Sequence, residues 1–182
     1  MHSKQLRGHI EHRELLCIRR ASIEESSMQG FLLAFSDHLL LFQYVYDFRL
    51  DGYLIIRRAD VSELSCRDTD RFQRELLQAE GALERIDFEF SAPIQSFDSF
   101  LASRPADEIV IVEDEVSDPQ EFLIGTVSHL ADDAVHINHF TGIARISELP
   151  ERLATDRITS CQTSTNYIRF YERYFETLSR AV

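Results

Sequence analysis

The feature that most limits how this chain can fold is an internal repeat at an offset of 95 residues. Gly30–Phe42 aligns with Gly125–Ile137 without a gap. Asp37 falls on Asp132, Leu40 on Val135, Cys66 on Cys161 and Phe72 on Tyr167. The order of apolar runs and turn signals repeats as well. A repeat of this kind predicts two copies of one small supersecondary unit rather than one large domain.

In the first copy Leu15–Ile18 is an apolar run suited to a buried strand, and Ala21–Met28 is a polar loop. Gly30–Phe35, a turn at Ser36-Asp37-His38 and Leu39–Val45 read as a hairpin, with Asp37 able to bond its own backbone. Tyr46–Gly52 reads as a second turn, and Tyr53–Ile56 and Val61–Cys66 as two further strands. Asp68 or Thr69 then caps a helix carrying Phe72, Leu76 and Leu77, which Gly81 stops.

The second copy follows the same order: Ile109–Val112, the loop Glu115–Gln120, Phe122–Leu130, a turn at Asp132-Asp133, and Ala134–His139. Ile143–Ile146 and Arg157–Gln162 are the expected fourth and fifth strands. Thr163 or Ser164 caps a last helix whose Tyr167, Phe170, Tyr171, Tyr174, Phe175 and Leu178 recur at helical spacing. That stripe is expected to pack on its own unit and also to close against the first unit, the linker helix or a second subunit. Between the copies Phe97, Phe100 and Leu101 predict a short helix at about 95–103, and Arg85–Phe90 an extended linker or edge strand. The domains expected are 1–81, a linker at 82–107, and 108–182.

Five short strands with a long first loop fit an SH3-like small barrel. Within that class the first copy resembles the Sm-like proteins. Their first motif places a Gly in the second strand and an Asp at the next turn, positions that match Gly30 and Asp37, and again Gly125 and Asp132. Their second motif, roughly Ile-Arg-Gly-x-Asn-Val, matches the skeleton of Ile56-Arg57-Arg58-Ala59-Asp60-Val61. Asp51-Gly52-Tyr53 with Ile56–Asp60 is also similar to a run in a family of tandem bacterial proteins to which no activity is attached. The resemblance implies a mainly β fold with accessory helices: two tandem Sm-like five-stranded barrels, at about 13–66 and 108–162, each followed by a helix. Sm-like proteins contact RNA through an Asn after the first-motif Asp and through the Arg-Gly-x-Asn region. Here His38 follows Asp37, Arg58 replaces the Gly and Asp60 the Asn, and the second copy reads Ile146-Ser147-Glu148-Leu149-Pro150 instead. These departures weaken the RNA-binding implication. Sm-like proteins also usually carry their helix before the barrel, whereas the sequence places it after.

Charge points the same way. With 19 Lys+Arg against 31 Asp+Glu, the net charge of -12 opposes general polyanion binding. Residues 1–58 are nearly balanced, so an anion site is expected there. Arg57 and Arg58, with Arg49, are the best anion-binding candidates. Tyr44 and Tyr46 beside them, with Phe48, form a possible aromatic surface for a protein or a stacked base.

The catalytic alternatives are thin. His129, His136 and His139 with Asp132 and Asp133 are the most metal-like group, but alternation along a strand splits His136 from His139. His9 and His12 share at most a helical face near the N-terminus. Cys17, Cys66 and Cys161 lack metal spacing, and neither Cys66 nor Cys161 has a local His. Acidic runs such as Glu113-Asp114-Glu115 read as solvated charge. No phosphate loop, dinucleotide glycine pattern or nucleophile elbow occurs. The chain is therefore expected to be a non-enzymatic cytoplasmic module without metal or cofactor. It is expected to regulate or scaffold through protein partners or self-association, with no membrane contact. Two alternatives stand beside this: an RNA- or nucleotide-binding Sm-like protein using the Arg57 region, and an acidic inhibitor or immunity-type protein.

Overall fold

Ten antiparallel strands and four helices make up the computed structural model, which describes residues 2–180. Met1, Ala181 and Val182, at the ends of the outer expected domains, lie outside the described residues. The chain divides into two compact units, 1–96 and 97–182, so the expected linker is shared: residues 82–96 belong to the first unit and 97–107 to the second.

In the first unit helix α1 (Ser3–Glu11) precedes β1 (Leu15–Arg19), β2 (Ser27–Phe35), β3 (Leu39–Tyr46), β4 (Arg49–Arg57) and β5 (Glu63–Ser65). Helix α2 (Asp68–Ala79) follows. Hydrogen bonding runs in the order β5-β1-β2-β3-β4. Leu16, Ile18, Leu32, Leu40, Phe42, Leu54, Ile56 and Leu64 form the core with Leu6 of α1. The strand members are all even-numbered, as period-two alternation requires. An irregularity at Leu33 shifts the register after Leu32 and brings Phe35 to the same core. Positions on the other face, such as Cys17, Phe31, Leu41 and Ile55, are also buried. Phe88 meets the Phe31 ring edge-on and Phe90 stacks on Tyr53, so residues 86–90 pack as irregular chain and not as a strand.

Two local readings change here. The expected turn over Tyr46–Gly52 contracts to Asp47-Phe48, whose φ angles of 46° and 59° are those a tight two-residue hairpin needs. Gly52, at φ 70°, then sits in a bulge inside β4, and the buried Gln43 amide donates to the Gly52 carbonyl at 2.7 Å. Helix α2 is capped by Asp70, whose carboxylate accepts the Arg67 N–H at 2.9 Å. It ends as expected at Gly81, with Ala82 N–H donating to the Leu77 carbonyl and Gly81 N–H to that of Gln78.

The second unit runs α3 (Phe97–Ala102), β6 (Ile109–Asp114), β7 (Glu121–Ala131), β8 (Ala134–His139), β9 (Glu151–Ala154), β10 (Ser160–Thr163) and α4 (Asn166–Arg180). Its order, β10-β6-β7-β8-β9, is the same 5-1-2-3-4 order as in the first unit. Residues 30–42 and 125–137 each span the second and third strands of their unit. The core joins Ile109, Ile111, Ile124, Phe140 and Ile168 to Tyr171 and Phe175 of α4. The fourth strand is not Ile143–Ile146, which makes only a bridge from Ile146 to Phe140 around a turn with Ala144 at φ 58°; it is Glu151–Ala154. A helix also precedes the strands in each unit, correcting the expectation of following helices alone. No helix among the described residues is long and apolar enough to cross a membrane.

Candidate functional site

The anion-site candidates separate along one hairpin. Tyr46 pairs with Arg49 beside the β3–β4 turn, while Arg57 pairs with Leu39 at the other end of β4. Eight residues of strand separate the two arginines by about 26 Å. Arg58 serves the fold: its guanidinium donates to the Ser36 carbonyl at 3.0 Å and lies 3.8 Å from the Asp37 carboxylate, bracing the β2–β3 turn. Tyr44 and Tyr46 have ring centres 6.4 Å apart, yet only Tyr46 is exposed. Burial, and then the Asp51 and Glu24 carboxylates, push the Tyr44 hydroxyl up to about 12. The five residues thus form two groups, and no strip of arginines and aromatics joins them.

The histidines divide too. His129 and His136 stack, with ring centres 3.9 Å apart, on paired positions of β7 and β8. Desolvation, with His129 and Arg152 nearby, lowers the pKa of His136. His139 instead turns to the Ile124 backbone, its Nδ1 3.2 Å from the nitrogen and 3.1 Å from the carbonyl oxygen. Among the described residues no group of three or more His, Cys, Asp and Glu side chains is placed to hold a metal ion. All three cysteines are free. Burial pushes the thiols of Cys161 and Cys66 up, away from the thiolate a nucleophile needs.

The site that does assemble lies where the sequence reads core. Thr165 Oγ1 caps α4 by accepting the Ile168 N–H at 3.2 Å. From that start the helix presents two apolar ridges. Ile168, Tyr171 and Phe175 face inward, with Phe140 4.8 Å from the Tyr171 ring and 5.0 Å from that of Phe175. The second ridge is exposed: Tyr167 is 47%, Phe170 61%, Tyr174 49% and Leu178 47% accessible. Only the first ridge packs on its own unit. The apolar arc, about 160° at 100° per residue, is wider than one packing face fills.

Tyr171 ties the helix to the loop after β8 by donating its hydroxyl to the Gly142 carbonyl at 3.0 Å. Gly142, Ile143, Ala144, Phe170, Tyr171 and Tyr174 line a groove of about 290 Å³. Ile143 stands 77% exposed on its rim. Exposed Phe122 extends the surface, edge-on to Tyr167. This contiguous exposed apolar surface is the candidate site. The signal available in the sequence was the excess width of the stripe, together with Ile143 and Ile146 in a segment too short to bury both.

Comparison of the chain with known protein families, with characterised proteins and with solved structures gives no match.

Proposed function

We propose that the chain is a non-enzymatic interaction module of two related Sm-like units, and that the second unit docks a protein partner in the groove beside α4. The exposed ridge Tyr167-Phe170-Tyr174-Leu178 carries this reading. Water contact at four large apolar side chains has a cost that a partner's apolar segment relieves, at about 25 cal/mol per Å² covered. The Sm-like reading draws support from the shared 5-1-2-3-4 strand order, from Gly30 and Gly125 on second strands, and from a helix before the strands in each unit. The three free cysteines suit a reducing cytoplasm.

An NMR titration of the full chain with a neutral amphipathic helical peptide tests the docking. Amide shifts are expected at Gly142–Ala144 and along Phe170–Tyr174. Shifts elsewhere, or none, would remove the proposal. Stability separates the two ridges of α4. Ile168→Ala is expected to cost about 2–4 kcal/mol as a buried truncation. Phe170→Ala should change urea unfolding by less than about 0.5 kcal/mol, as an exposed one.

The RNA reading is disfavoured by the net charge of -12 and by Arg58 being engaged at the Ser36 turn. Fluorescence anisotropy with uridine- and adenosine-rich RNA at physiological salt is expected to show no submicromolar binding. Tight binding that weakens in Arg57→Ala would restore that reading.

A further inference from the structure

The second unit is acidic, with seven arginines against fifteen Asp and Glu between residues 97 and 182. Four of those arginines are paired with carboxylates: Arg104 with Glu108, Arg152 with Asp133, Arg157 with Asp114 and Glu121, and Arg180 with Glu176. The other three, Arg145, Arg169 and Arg173, make no ion pair among the described residues. Two of them border the α4 groove. Arg145 follows the groove-lining Ala144, and the Arg173 guanidinium lies 4.5 Å over the Phe170 ring. On a helical wheel Arg173 falls about 60° from Phe170, whereas Arg169 and Glu176 lie side by side at about 100° and 120° from it and Glu172 lies further round.

Resting on the docking reading above, we propose that the groove takes an acidic amphipathic segment of a protein partner. Its apolar side covers Tyr167, Phe170 and Tyr174, and its carboxylates meet Arg145 and Arg173. Covering the ridge removes water from the neighbouring guanidiniums and strengthens their pairing with an incoming carboxylate. A second copy of this chain fits less well. In a two-fold antiparallel pair of α4 helices the two arginine flanks lie side by side, and two chains of charge -12 repel. An anionic lipid surface meets the same repulsion from the fifteen acidic residues of the unit.

The test uses the full chain and a labelled amphipathic peptide of about 18 residues, five helical turns. Leu and Phe form one face and Glu the flanks, and matched versions carry Gln or Lys instead of Glu. In anisotropy titrations at low salt the Glu peptide is expected to bind about tenfold tighter than the Gln peptide, and the Lys peptide weakest. Raising the salt, or the double variant Arg145→Gln/Arg173→Gln, should erase that order while the Gln peptide keeps its affinity. Phe170→Ser, checked for folding by circular dichroism, should lose all binding. Equal affinity for the Glu and Gln peptides overturns the acidic partner and leaves docking intact. No binding by any peptide overturns both. Two other results overturn the acidic partner in favour of a different occupant: tighter binding to phosphatidylglycerol vesicles than to the Glu peptide, and a dimer in light scattering that Phe170→Ser dissociates.

Discussion

Gly125→Ala is expected to destabilise the second unit by about 3 kcal/mol or more, an unusually large effect for one added methyl group. Gly125 sits in β7, paired with Val110 on one side and His139 on the other. A Cβ there would stand 2.1 Å from the Asn138 carbonyl oxygen, 2.8 Å from its carbon and 3.0 Å from the Ile137 side chain. The first two are backbone atoms of β8 and cannot retreat unless the β7–β8 ladder opens. Gly30, the repeat-equivalent position in β2, is less tight. Its added Cβ would meet the Gln43 carbonyl oxygen at 2.9 Å and Phe42 Cβ at 3.2 Å. Gly30→Ala should therefore cost only about 1–2 kcal/mol. The chain has no tryptophan, so urea unfolding is followed by tyrosine fluorescence and circular dichroism. If Gly125→Ala proves no more costly than Gly30→Ala, the close approach of β7 and β8 described above is wrong.

Those two glycines were also the most informative residues in the sequence, because the space they leave belongs to the hairpin and does not depend on distant contacts. The second and third strands of each unit were legible for that reason, and α2 was legible from its stop at Gly81. Features set by tertiary contact were not. Helix α1 buries only Leu6 fully and looks polar in sequence. The Asp47-Phe48 turn uses positive φ at two residues that lack the Asn-Gly signature, so β4 was read as starting late. Ile143 and Ile146 resemble strand residues, yet they line an exposed loop while the more polar Glu151–Ala154 pairs with β8. Reading α4 from its periodicity assumes that a helical apolar stripe is a buried stripe. Periodicity shows which residues share a face of α4; it does not show that Ile168 and Phe175 satisfy the unit's core while Phe170 and Tyr174 are left over.

Acidification should weaken the second unit through Asp114, a residue the sequence reads as solvated loop charge. It lies at the end of β6 and is 1% exposed. Burial by itself would raise its pKa. Hydrogen bonds from Ser117, at 3.0 Å for its N–H, the Arg157 guanidinium at 2.6 Å and the Val116 N–H at 3.1 Å outweigh burial and hold the carboxyl at about 2. An unfolded Asp titrates near ~3.9. The folded value is the lower one, so the stabilisation is complete above the unfolded value and is lost as pH falls from about 5 towards 2. For a shift of this size it amounts to about 2–3 kcal/mol. Asp114→Asn should cost a similar amount at neutral pH. Arg157→Gln should cost less, because the guanidinium is 40% exposed and water screens the pair. Glu108, raised chiefly by burial, works in the opposite sense and gains on acidification. The informative quantity is therefore the difference in unfolding free energy between wild type and Asp114→Asn, in which that contribution cancels. That difference is expected to shrink steadily between about pH 5 and pH 3. A difference that stays flat over that interval would mean the Asp114 carboxyl is not held by Ser117, Val116 and Arg157, and that the 115–120 loop is anchored in some other way.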